Sequence, residues 1–326
     1  MSRLKSTWLS GLVVAGAMAW GLGAAAADPI RIGIANFGEH PQLNASIAGF
    51  KKALTANGFV EGKDVVYTES HTNFDASLVP QMIAKLQAEQ PKLVYTITTP
   101  VSQIAKKALA GSGIPIVFAA VTDPVAAKLV KGWEASGTNV TGVSDLSPLD
   151  KHLALIKRVV PNAKRVGVIY SPGEANSVSI VDALKKAMPA AGLMLVEGAA
   201  ARTVDVASAA QSLVGKVDVI YAPTDNNVMS AFEGIVKVAQ QARIPVVAAD
   251  TDAVKRGAVA ALGLNYYDIG HQTGKIVVRI LQGQAPGTIA SQTSENFELH
   301  VNPGAAQKQG VTLSDELVKS AQVVVK

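Results

Sequence analysis

Short apolar runs alternate with amphipathic stretches along most of the chain, and this rhythm restricts the fold more than any motif does. Ile30-Arg31-Ile32-Gly33-Ile34-Ala35 reads as a strand, and Leu43 to Asn57 as a helix closed by Gly58 at the C′ position. Val65 to Thr68, Leu93 to Ile97 and Pro115 to Ala119 read as further strands. Helices are expected over Asp75 to Glu89, where Leu78, Met82 and Leu86 share one face, and over Val101 to Ala110. Continuous β-branched runs between amphipathic helices signal a parallel sheet covered on both faces.

The rhythm restarts after Leu146. Helices over Leu149 to Val160, Asn176 to Ala191, Val204 to Val214 and Val228 to Ala242 alternate with apolar runs. Those runs begin at Arg165, Leu193, Val217, Pro245 and Ala258. Two successive series predict an α/β protein of two doubly wound, Rossmann-like lobes. One unit recurs: a polar loop, a helix, an Ile-Pro pair, an apolar strand and another polar loop. Thr98-Thr99-Pro100 opens it in the first series and Thr224-Asp225-Asn226 in the second.

The ends and the composition narrow the setting. Arg3 and Lys5, an apolar stretch from Trp8 to Leu22 and then Ala24-Ala25-Ala26-Ala27 have the layout of a cleavable secretory leader, cut after Ala27. The apolar stretch is short for a spanning helix, which needs about 20 apolar residues. The chain has no cysteine, which removes disulfides, thiolate catalysis, Cys-ligated metal and a lipid-modified Cys anchor. The exported chain is therefore expected free in a periplasm. Without the leader it carries 28 basic and 25 acidic residues, and no basic block interleaved with aromatics, so no nucleic-acid partner is expected.

Ligands of open α/β sheets bind outside the carboxyl ends of the strands. The loops there are Asn36 to His40, Ser70 to Asn73, Thr98 to Pro100 and Thr122 to Pro124 in the first series. In the second they are Ser171 to Ser177, Thr224 to Asn226 and Asp250 to Asp252. Several lead straight into helices, whose free N–H groups and partial positive charge suit a carboxylate. A buried Asp or Glu nearby suits an ammonium. Together they would complement an amino-acid zwitterion, although each Ser, Thr, Asp or Asn also suits plain helix capping.

The order of several segments resembles a known family. They are Ile32-Gly33-Ile34, Gly113 to Phe118 with Thr122-Asp123-Pro124, Asn139 to Val143, Val168 to Ser177, Thr224-Asp225-Asn226, Ile244-Pro245-Val246, and Gly263 to Tyr266 with Ile269-Gly270. The chain is similar to the periplasmic substrate-binding proteins of ABC importers with the type I two-lobed fold, and among them to those that bind tryptophan and other aromatic amino acids. The resemblance implies a three-strand hinge, with crossings near 144–147, 264–267 and 292–297. Residues 28–145 and 267–293 would form lobe 1, and residues 146–266 and 294–326 lobe 2. It implies a monomer that binds one small molecule and delivers it to a permease and ATPase complex in the inner membrane. On this analogy Thr98, Thr99 and Thr122 would take the carboxylate, and Asp250 and Glu174 the amine. Asp123, Asn176, Ser177 and Asp225 would add contacts, and Phe37 and Tyr266 would form the side-chain wall.

The same fold also serves two other classes of protein. An exported α/β enzyme would need a catalytic signature, and there is no His-Glu-x-x-His or Gly-x-Ser-x-Gly. Gly33 to Gly38 has phosphate-loop spacing, but Glu39-His40 stands where Lys-Ser/Thr belongs. The five His show no metal spacing, so no metal, cofactor or catalytic residue is expected, though His40 and His71 fall on cleft loops. A ligand-sensing subunit for a membrane receptor is the other alternative. After the leader only Trp133 remains of the tryptophans, which favours an amino acid over a ring-stacked sugar.

Overall fold

The computed structural model describes Met1 and residues 28–325. The leader expected over residues 1–27 thus lies, Met1 apart, outside the described residues. Thirteen strands form two sheets. The first holds β1 (Ile30–Asn36), β2 (Val65–His71), β3 (Leu93–Ile97), β4 (Ile116–Val121) and β5 (Val140–Ser144). The second holds β6 (Arg165–Tyr170), β7 (Met194–Ala199), β8 (Val219–Ala222), β9 (Val246–Ala248) and β10 (Ala260–Leu264). Then β11 (Gln292–Thr293) returns to the first sheet, while β12 (Phe297–Val301) and β13 (Val323–Val324) extend the second.

The strand orders are β11-β5-β4-β3-β1-β2 and β13-β12-β10-β9-β8-β6-β7. Every pairing is parallel except β10 with β12. The five leading strands of each sheet therefore share one doubly wound order, which reverses between β1 and β3 in the first and between β6 and β8 in the second. Burial explains the apolar runs. Every residue of β3, β4 and β5 is buried, as parallel strands covered on both faces require, whereas edge strand β2 alternates.

The chain passes between the sheets in three places: after β5, between β10 and the helix Tyr266–Leu281, and between β11 and β12. That helix packs on Pro41–Ala56 of the first sheet. Glycines permit the approach: a Cβ on Gly49 would collide with the Tyr267 carbonyl oxygen, and one on Gly270 with that of Ser46.

Local chemistry moves several boundaries. Pro41 starts its helix two residues before Leu43, because Pro suits the first helical position and the His40 ring accepts the Gln42 N–H. Gly58 does close it, with φ of 87°. The helix expected over 228–242 is broken at Ala231 into Asn226–Ser230 and Phe232–Ala242. The one expected over 204–214 shortens to Val206–Ser212 after a 3-10 turn.

Candidate functional site

The order reversals of the two sheets open on one cavity. The first sheet supplies His40 beyond β1, and Thr98 and Thr99 beyond β3, with Ala120, Thr122 and Asp145 around β4 and β5. The second supplies Asn176 beyond β6, Thr224, Asp225 and Asn226 beyond β8, and Asp250 beyond β9. Leu43, Phe74 and Met229 add apolar surface, and Tyr266 lines the crossover side.

Thr98 and Thr99 begin the helix Thr99–Ala108, and Thr98 makes no side-chain cap bond to it. Thr98 has φ of 84° and ψ of 156°, a region that only glycine enters without strain. It is held there by its N–H to Ala119 and by its carbonyl, which accepts from Ser102. The Oγ1 atoms of both threonines are buried and lack a partner. A buried hydroxyl without a partner costs free energy that a ligand oxygen recovers.

The acidic groups divide into committed and uncommitted ones. Asp225 accepts four hydrogen bonds: from the Ser171 N–H at 2.6 Å, the Ser177 hydroxyl at 2.6 Å, the Ser171 hydroxyl at 2.9 Å and the Val228 N–H at 2.9 Å. Asp250 accepts from the Asp252 N–H at 2.8 Å and from Gln42 at 3.3 Å, with His40 Nε2 at 3.7 Å. Burial raises its carboxyl above the ordinary range, against the pull of His40. Asp145 Oδ2 accepts the Tyr266 hydroxyl at 2.6 Å, and its buried Oδ1 has no partner. Burial pushes the Asp145 carboxyl up and the Tyr266 phenol well up. A cation placed at Oδ1 would relieve that desolvation.

Seven of the eleven residues expected at the site line this cavity: Thr98, Thr99, Thr122, Asn176, Asp225, Asp250 and Tyr266. The other four do not. Phe37 is 2% exposed and lies edge-on to Phe74, which takes the wall position instead. Asp123 accepts the Val125 and Ala126 N–H groups. Glu174 binds the amides of Asn226 and Asn176 behind the wall, and Ser177 is turned to Asp225. Gln42, Phe74, Met229 and Asp145 also line the cavity and lie outside the expected ligand loops, while Asn226 lies within one of them. Asp145 had a signal, since it directly follows a strand at its carboxyl end; Phe74 had none, because its φ of 64° is set by the loop.

A profile of the family described as ABC transporter substrate binding protein matches residues 31–325. The chain belongs to this family. The tyrosine-binding protein of Clostridioides difficile (strain R20291) is 37% identical over 83% of this chain and 78% of its own. The ABC domain of Streptococcus pneumonia in complex with L-Trp has a TM-score of 0.87 at 32% identity, covering 91% of this chain and all of that one. The ligand-free, open structure of a Clostridium difficile substrate binding protein with adhesive properties has a TM-score of 0.70 at 38% identity, covering 91% and 99%. This ABC substrate-binding protein is thus a binder of a small molecule and not an enzyme, which removes the exported-enzyme alternative. Among its described residues no helix is long and apolar enough to cross a membrane.

Proposed function

We propose that this chain is the periplasmic binding component of an ABC importer, and that its ligand is an amino acid with an aromatic side chain. One observation carries the ligand class: unpartnered Thr98 and Thr99 hydroxyls at a helix N-terminus share a cavity with the unpartnered Asp145 Oδ1. The threonines and the helix end would hold the carboxylate. Asp145, whose buried Oδ1 has no partner, would hold the ammonium, a role expected of Asp250 and Glu174; Asp250 faces His40 and Gln42, and Glu174 is turned to the amides of Asn176 and Asn226. Leu43, Phe74 and Met229 would contact the side chain. The names of the tyrosine-binding and L-Trp-bound relatives support the aromatic class.

Lobes built on the two sheets would close about the three crossings, as the resemblance to importers implies. The greater overlap with the L-Trp complex than with the open, ligand-free relative, at similar identity, supports reading this arrangement as the closed one. The closed form would then be what the permease and ATPase complex receives.

Calorimetry on protein refolded to strip ligand tests the site. L-tryptophan or L-tyrosine is expected to bind, and tryptamine and 3-indolepropionate, each lacking one charged group, to bind at least about 100-fold more weakly. Asp145→Asn is expected to weaken the amino acid by a similar factor while leaving 3-indolepropionate unchanged. Heat from a sugar or purine and none from any amino acid would overturn the ligand assignment.

A further inference from the structure

A second space adjoins the ligand cavity, and the two share Thr122 and Thr224 as walls. It lies where both sheets and a crossover meet. Leu146 and Leu149 flank the first crossing, and Ile180 and Ala183 come from the helix Ala175–Ala187. It carries fewer charged groups than the main cavity. Asp123 is the one charged side chain on its wall, and that carboxylate already accepts two backbone N–H groups. The Tyr221 hydroxyl is taken by His152 Nδ1. Burial lowers His152 to about 4, so the pair stays uncharged at neutral pH.

The chamber also leads outward. Asp123, Ser179 and Ala183 line both it and an open groove of about 1,130 Å³ between the sheets. The three spaces are thus neighbours: the charged cavity and the chamber share one wall, and the chamber and the open groove share another.

We propose that this chamber is a binding subsite for an apolar or aromatic extension of the ligand's side chain, so that the protein accepts amino acids longer than tyrosine or tryptophan. The inference rests on the amino-acid reading of the main cavity. The charged cavity would fix the α-amino and α-carboxyl groups, and the space past Thr122 and Thr224 would admit a neutral group at the far end of the side chain. A pocket whose surface is mostly apolar and carries little charge binds by burial of surface rather than by charge.

The probe is 4-benzoyl-L-phenylalanine, an aromatic amino acid whose terminal benzophenone forms a covalent bond to a nearby C–H group on illumination. Its affinity for the wild-type protein is expected within about tenfold of that of L-tyrosine or L-tryptophan, whichever binds more tightly. Mass spectrometry after illumination should place the cross-link on peptides containing Leu146–Leu149 or Ser179–Ala183. Ala183→Phe, which fills the chamber from a helix face outside the charged cavity, should weaken the probe about tenfold or more and leave the parent amino acid within about twofold. A cross-link elsewhere, equal weakening of both ligands, or failure of the probe to bind where L-tyrosine or L-tryptophan does would overturn the subsite. Failure of every aromatic amino acid to bind would instead overturn the functional reading on which it rests.

Discussion

Glu174 shows how a single residue can be well placed in sequence and act behind the site. Burial, then the neighbouring Asp225 carboxylate, pushes its carboxyl up to about 7. A carboxyl raised in the folded state binds more protons there than in the unfolded chain between its two pKa values, so stability falls as pH rises through that interval. For Glu174 the interval runs from 4.5 to about 7. His152, lowered by burial to about 4, acts in the opposite sense below its ordinary 6.5. The difference between wild type and Glu174→Gln isolates the first effect. In the ligand-free state the variant is expected to lose less melting temperature from pH 4.5 to 7 than the wild type does, and parallel curves would refute this. Asp145 and Asp250 are raised too, and both depend on burial that no sequence window reveals.

At the scale of elements, side-chain hydrogen bonds across the cleft come from the first turn of Pro41–Ala56 and its cap His40. Gln42 Nε2 donates to Thr251 Oγ1 at 2.8 Å, and His40 Nε2 lies 3.4 Å from an Arg256 nitrogen. Arg256 is in turn clamped by both Glu233 oxygens at 2.7 and 2.8 Å. These bonds join the first sheet's helix to the loop beyond β9 and brace the cavity mouth. Gln42→Ala and Thr251→Ala are each expected to speed ligand dissociation about two- to tenfold, the worth of one hydrogen bond, with little change in association. The double variant should be no faster than the faster single one, because both delete the same bond. Additive rates in stopped-flow measurements would show that the bond does not hold the cleft.

For the whole molecule, two sheets of one strand order joined by three crossings predict that ligand draws them together. Scattering from stripped protein is expected to show a smaller radius of gyration on saturation with the amino acid that calorimetry identifies, and an unchanged radius would argue against hinge closure. Both sheets were legible in the chain because parallel strands buried on two faces must be continuously apolar. The helices between them showed because each keeps one apolar face, as Leu86 and Met82 do in Val79–Ala88. The polar loops at strand ends were legible for the same reason, so Thr98, Thr99 and Asp225 could be picked out before any contact was known. Breaks such as Ala231, and the turn that brings Phe74 rather than Phe37 to the cavity, depend on backbone angles that neighbours impose. The sequence by itself determined the architecture and the loops that meet, since periodicity and turn chemistry are local properties. Which of the acids keeps a buried oxygen without a partner, and that a mostly apolar chamber lies beside the charged cavity, only the tertiary structure decided, because hydrogen-bond satisfaction and unfilled space arise from residues far apart in the chain.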